Sequence, residues 1–132
     1  MSERDPAIDS LGINVNADSK EVLRATMLVR PDMANRHGVC HGGILFLLAD
    51  TVMDYTTNAS LGDDTTSFAS HAEIDFVRAG MVGDTLTATG AVTDTWGRTN
   101  LLDARITNQD GALVAHFRGR TRTVNTDRQA RS

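Results

Sequence analysis

Six consecutive apolar residues, Ile44, Leu45, Phe46, Leu47, Leu48 and Ala49, follow directly on Gly42-Gly43. Wound at 3.6 residues per turn, this run covers nearly the whole circumference of a helix. A helix that is apolar all round has to be covered on most sides, so residues 44–58 are expected to form a buried helix. The stretch before it, Pro31-Asp32-Met33-Ala34-Asn35-Arg36-His37-Gly38-Val39-Cys40-His41, has no periodicity and reads as a loop.

What covers the helix is written in the period of the flanking sequence. Around residues 21–30, Val22, Arg24, Thr26 and Leu28 alternate with Leu23, Ala25, Met27 and Val29, as in a strand with apolar groups on both faces. From Thr65 onward the period is two. Phe68, Ser70, Ala72, Ile74 and Phe76 share one face, and His71, Glu73 and Asp75 the other. After a turn at residues 80–84 come Leu86, Ala88, Gly90 and Val92, then Trp96-Gly97-Arg98 turns the chain into Leu102, Ala104 and Ile106. Asp110-Gly111 is a hairpin signal. Beyond it Leu113, Ala115 and Phe117 oppose His116, Arg118, Arg120 and Arg122. The expected fold class is α+β, with one strand, a buried central helix, then four meandering antiparallel strands whose apolar face receives the helix.

A chain of 132 residues makes one domain with one core. Residues 1–11 read as an amino-terminal segment in which 4–11 form a short amphipathic helix, with Pro6 acceptable in its first turn. Residues 125–132 read as a polar, flexible tail. The net charge of −4 gives no footing for nucleic-acid binding. The longest apolar run is too short to span a bilayer. Glu3, Arg4, Asp5 and Asp9 leave no signal-peptide core, and Cys40 is the only cysteine, so a cytoplasmic protein without a disulfide is expected. His37, Cys40 and His41 crowd into five residues without zinc spacing, and no metal or bound cofactor is expected.

The chemistry gathers between Asn35 and Asn58. Gly42-Gly43 opening a helix supplies unpaired N–H groups at a positive dipole end, which suits a developing oxyanion. Asp50, set among Leu47, Leu48, Ala49 and Val52, is expected to be partly desolvated and so more basic than an ordinary carboxylate. Eight residues separate Gly42 from Asp50, about 12 Å of helical rise. One small reacting group cannot touch both within one chain. If both act on it, the Asp must come from a second subunit whose helix runs antiparallel, in a two-fold dimer with two shared sites.

The skeleton Asn35, Gly38, His41-Gly42-Gly43, Phe46, Leu48-Ala49-Asp50 and Asn58 resembles the signature of hotdog-fold acyl-CoA thioesterases of the phenylacetate-degradation (PaaI) type. Ile74-Asp75-Phe76-Val77-Arg78, Gly83-Asp84-Thr85-Leu86 and Phe117-Arg118-Gly119 extend the likeness over residues 20–122. The resemblance implies an antiparallel sheet wrapped around the helix, and a homodimer, commonly a dimer-of-dimers tetramer. It implies hydrolysis of aryl-acyl-CoA esters such as phenylacetyl-CoA or its ring-hydroxylated derivatives. Gly42 N–H would polarise the thioester carbonyl, and the partner's carboxylate at the position of Asp50 would be nucleophile or general base. Asn35 and His41 would orient the thioester or the water, and Gly43 would line the substrate.

Blander roles stand beside each of these. Asn35 and His41 are equally suited to holding the loop backbone. Arg118 and Arg120 could grip CoA phosphates or simply form a solvated strand face. Cys40 as nucleophile would need His41 as its base, and adjacent side chains in a turn rarely meet well. Asp54, at i+4 from Asp50, departs from the family pattern, either as an interacting carboxylate or as a surface residue. Rival readings are a medium- or long-chain fatty acyl-CoA thioesterase, an acyl-thioester hydratase, and a non-catalytic acyl-CoA-binding module.

Overall fold

The computed structural model describes residues 5–19, 22–59, 61–62 and 64–125. The expected flexible tail therefore lies outside the described residues from position 126 onward. The element order is α1 (Pro6–Ser10), β1 (Asn14–Ser19), β2 (Val22–Leu28), a 3-10 turn (Pro31–Met33), α2 (Gly42–Asn58), β3 (Thr65–Phe76), β4 (Thr85–Trp96), β5 (Thr99–Thr107) and β6 (Leu113–Asn125). The strands form one antiparallel sheet in the order β1-β2-β4-β5-β6-β3, and α2 lies against β2, β3, β4, β5 and β6. A six-stranded sheet curled about one long helix is the hotdog arrangement.

Two expectations need correction. The four later strands do not simply meander: β4, β5 and β6 do, but β3 pairs with β6 at the far edge of the sheet. Two strands precede the helix, not one. The Asn-rich β1 carries residues with low strand preference, which an edge position tolerates.

The inner face is built as its alternation predicts on β5 and over most of β4 and β6; the exceptions are Val92, 42% exposed where the β4 register shifts after it, and Leu113, half-buried beside the buried Val114. Leu86, Ala88, Leu102, Ala104, Ile106, Ala115 and Phe117 are buried against Leu45, Leu48, Ala49, Val52 and Met53 of α2. Phe46 meets the Phe117 ring edge-on, with centroids 5.4 Å apart. Where α2 crosses the sheet, side chains have to vanish. A Cβ on Gly90 would stand 2.6 Å from Val52 Cγ1, and one on Gly119 would collide with Met53 Sδ. On β3 the expected face breaks, because a register shift between Ala69 and His71 changes which residues point inward. Ser67 is buried before the shift, whereas Phe68 is 46% exposed.

The helix itself is covered on one side. Ile44, Phe46 and Leu47 remain half-buried in the single chain, and Asp50 and Asp54 share the open side with Leu47. An apolar run made to be enclosed is thus only partly enclosed by its own sheet. The helix end is pinned to β3 by Asn58, whose Oδ1 accepts from Ser67 N at 2.8 Å and whose Nδ2 donates to Ser67 O at 3.0 Å.

Candidate active site

The loop before α2 is a folded object. Asn35 N donates to Val39 O at 2.8 Å, Gly38 N returns to Asn35 O at 3.0 Å, and Gly38 takes the left-handed φ of 80° that this turn requires. Asn35 Oδ1 accepts from His37 N at 2.9 Å and more loosely from Val39 N at 3.4 Å. Asn35 therefore does hold the loop. With its oxygen so engaged, Nδ2 is the end left without a hydrogen-bond partner among the described residues, and Asn35 borders the same recess as Gly42.

His41 caps α2. Its Nδ1 accepts from Gly43 N at 3.1 Å, so the neutral ring carries its proton on Nε2. Its carbonyl accepts from Ile44 N at 3.0 Å and Leu45 N at 3.2 Å. The Leu45 bond is the first regular helical one; of the four N–H groups that a helix start leaves open, three are satisfied, those of Gly43 and Ile44 by His41 and that of His41 by Met33 O at 2.9 Å. Gly42 N–H has no partner among the described residues. It opens into a recess of about 300 Å³ bordered by Asn35, Cys40, Leu45, Phe76 and Arg78. The Phe76 ring lies over Gly42, where an added Cβ would come within 3.1 Å of its Cζ.

Phe76 and Arg78 are residues of this site that the sequence reading did not single out. Arg78 Nη1 donates to Leu113 O at 2.7 Å, which holds the guanidinium at the mouth of the recess. Their only signal was membership of the Phe76-Val77-Arg78 stretch. Cys40 lies in the same wall but is 3% exposed, and burial pushes its thiol up to about 11. A thiol so protonated is a poor nucleophile.

Asp50 lies in a second recess, of about 220 Å³, with Asp5, Leu47, Thr51, Asp54 and Phe68 on its walls. Burial first, and then the nearby Asp5 charge, raise the Asp50 carboxyl above its ordinary value. Asp54 is more open to solvent and yet is raised too, by burial, by Asp50 and by Asp5, against a lowering hydrogen bond from Asn58. Both alternatives for Asp54 thus hold, since it reaches the surface and interacts with Asp50. The sequence reading did not single out Asp5 for this site; it shares the Asp50 recess because the head of α1 lies beside α2.

Arg118 and Arg120 are not brought to either recess. They point from the sheet face opposite α2, where Arg118 meets Asp75 Oδ2 at 3.3 Å and Glu73 Oε1 at 3.6 Å. On that face His116 Nε2 and Asp103 Oδ1 are 2.7 Å apart.

Residues 37–115 match the family model of the thioesterase superfamily. The chain is 40% identical to the acyl-coenzyme A thioesterase PaaI of Escherichia coli (strain K12) over 124 residues, 94% of this chain and 86% of that protein. The solved structure of the E. coli PaaI protein from the phenylacetic acid degradation operon matches with a TM-score of 0.86 at 39% identity, covering 93% of this chain and 87% of that one. The solved structure of a mutant of the phenylacetic acid degradation protein PaaI from Thermus thermophilus matches with a TM-score of 0.81 at 26% identity, over 89% of this chain and 98% of that one.

Proposed function

The chain belongs to the thioesterase superfamily and is a thioester hydrolase, and from that premise we propose that it splits aryl-acyl-CoA esters, phenylacetyl-CoA or ring-hydroxylated phenylacetyl-CoA, into free acid and CoA at sites shared between two subunits. The observation that carries the reading is the separation of two half-sites: the open Gly42 N–H and the half-buried Asp50 border different recesses of one chain. A two-fold copy with its α2 antiparallel brings the second recess of one subunit to the first of the other. It also covers the apolar side of α2 that the sheet leaves open.

In the joined site Gly42 N–H donates to the thioester carbonyl oxygen and stabilises the charge that grows there. Asn35 Nδ2 is the second donor at hand. Asp50 attacks the carbonyl carbon or takes a proton from the attacking water, and burial favours either role by raising its basicity. His41 supports the site through its cap, which keeps Gly43 engaged and Gly42 free. Among the described residues, Arg78 is the cation that lines the Gly42 recess, and it is placed to meet CoA phosphates. Arg118 and Arg120 can join only if a further subunit brings their sheet face to the site. The E. coli relative's role as an acyl-CoA thioesterase supports the substrate class.

The test is CoA release, read with a thiol reagent, from a panel of aryl- and fatty acyl-CoA esters. Turnover of aryl esters that collapses in Asp50→Asn is expected. Equal turnover in both proteins removes Asp50 from the mechanism, and preference for long-chain esters overturns the substrate class. Sharing of sites is tested by co-expressing Asp50→Asn with Gly42→Pro. Mixed dimers regain activity if each site takes one residue from each subunit, and stay inactive if it does not.

A further inference from the structure

Asp54 and Asp5 are the described carboxylates beside Asp50 that the mechanism above leaves unused, and Asp54 is the one that shares its helix. It lies one helical turn further along the same face and borders the same recess. Its carboxylate is held in place: Asn58 Nδ2 donates to Asp54 Oδ1 at 3.0 Å and to Asp54 O at 2.8 Å, and Asn58 is itself fixed to both backbone groups of Ser67. Oδ2 keeps no hydrogen-bond partner among the described residues. The groups facing the pair are Asp5 at the head of α1, Ile8 from α1, and Phe68, Ala69 and Thr121 from β3 and β6, so among the described residues no cation lines the recess to offset the two charges.

We propose that Asp54 is a second catalytic carboxyl of the site, giving a proton to the departing CoA sulfur and recovering one from the attacking water. The inference rests on the acyl-CoA hydrolysis proposed above. The step balances by either route. If Asp50 is the nucleophile, its oxygen bonds to the acyl carbon, the C–S bond breaks, and the thiolate takes the Asp54 proton. Water then gives a proton to ionised Asp54 while its oxygen cleaves the anhydride, which frees the acid and restores both side chains. If Asp50 is the base, it holds the water proton while Asp54 protonates the sulfur, and the proton passes from Asp50 to Asp54 to close the cycle.

The division of labour follows from the electrostatics. Burial and the neighbouring carboxylates raise both carboxyls, against the lowering hydrogen bond from Asn58 to Asp54, so the pair favours sharing a proton; with Asn58 on Oδ1, Asp54 has Oδ2 open to carry it.

The experiment compares wild type with Asp54→Asn, which keeps the oxygen that Asn58 binds, and with Asp54→Glu. In Asp54→Asn, kcat/KM for the acyl-CoA should fall about 100-fold, the scale of one general acid. The alkaline limb of its pH profile should disappear, while Asp54→Glu keeps that limb. With the same acyl group on a nitrothiophenol, whose thiolate leaves unprotonated, the defect should shrink at least tenfold. A defect equal on both leaving groups, or wild-type kcat/KM in Asp54→Asn, overturns the proposal. If Asp50→Asn still abolishes turnover in that case, the hydrolase reading stands and this inference alone fails. Absence of CoA release by wild type overturns both.

Discussion

Replacing Gly90 by alanine puts a methyl group 2.6 Å from Val52 Cγ1, where ordinary contact begins at about 3.4 Å. Neither side has room. Val52 is 1% exposed and, as a β-branched residue on a helix, is held in one rotamer. On the strand side, Ala104 Cβ and Asp103 O already stand 3.6 Å from the new atom. The strain therefore falls on the spacing between α2 and the sheet, which has to open by roughly 0.8 Å. Overpacking of this kind costs about 1–3 kcal/mol. Removing a glycine from a strand interior returns about 0.5–1 kcal/mol, which leaves a net loss of up to about 2.5 kcal/mol, centred near 1. Urea unfolding at one fixed protein concentration measures it, because stability of an assembled chain depends on concentration. The double mutant Gly90→Ala/Val52→Ala should be more stable than the sum of the single changes by about 1–2 kcal/mol, since the new methyl occupies the space vacated. Asp50 lies two residues from Val52, so the single mutant should also lose turnover, by up to about 100-fold for a displacement approaching 1 Å. A Gly90→Ala protein as stable as wild type, or strictly additive effects, would refute this account of the packing.

Gly42→Pro deletes the one open N–H of α2 while suiting a first helical position, since His41 already has the extended ψ of 135° that a following proline needs and the Phe76 ring, 3.1 Å from the added Cβ, has to shift only by a few tenths of an ångström. We expect kcat for acyl-CoA to drop by about 100- to 1000-fold with the helix content of wild type by circular dichroism; retained kcat would clear Gly42 of its role. Arg78→Gln should raise KM for acyl-CoA severalfold but leave it unchanged for the matching acyl-pantetheine, which lacks phosphates; an equal effect on both esters would refute the phosphate contact. Asp50 is raised in the folded protein, so its contribution to stability is complete below the unfolded value near 3.8 and is lost as pH rises through the higher folded value. Asp50→Asn should therefore melt above wild type at neutral pH, with the gap closing as pH falls toward 3.8. A gap independent of pH would contradict the raised carboxyl.

Much of this protein is written locally. The run from Ile44 to Ala49 behind Gly42-Gly43 sufficed for α2, because helix start and burial depend on residues within a few turns. Alternation placed Leu102, Ala104, Ile106, Ala115 and Phe117 inward, since period two follows from strand geometry alone. Asp110-Gly111 likewise marked its turn, where Gly111 has a φ of 79°. Alternation says which side of a strand is apolar, but not which strand it joins or where the register slips. The pairing of β3 with β6 and the shift after Ala69 therefore appeared only in the sheet. The same limit held at the candidate site. That His41 binds Gly43 and leaves Gly42 open is a matter of one rotamer, and that Asp5 reaches Asp50 across 45 positions depends on the head of α1 lying beside α2. Residue types suitable for the chemistry are local information, whereas their meeting is decided by the packing of segments far apart in the chain.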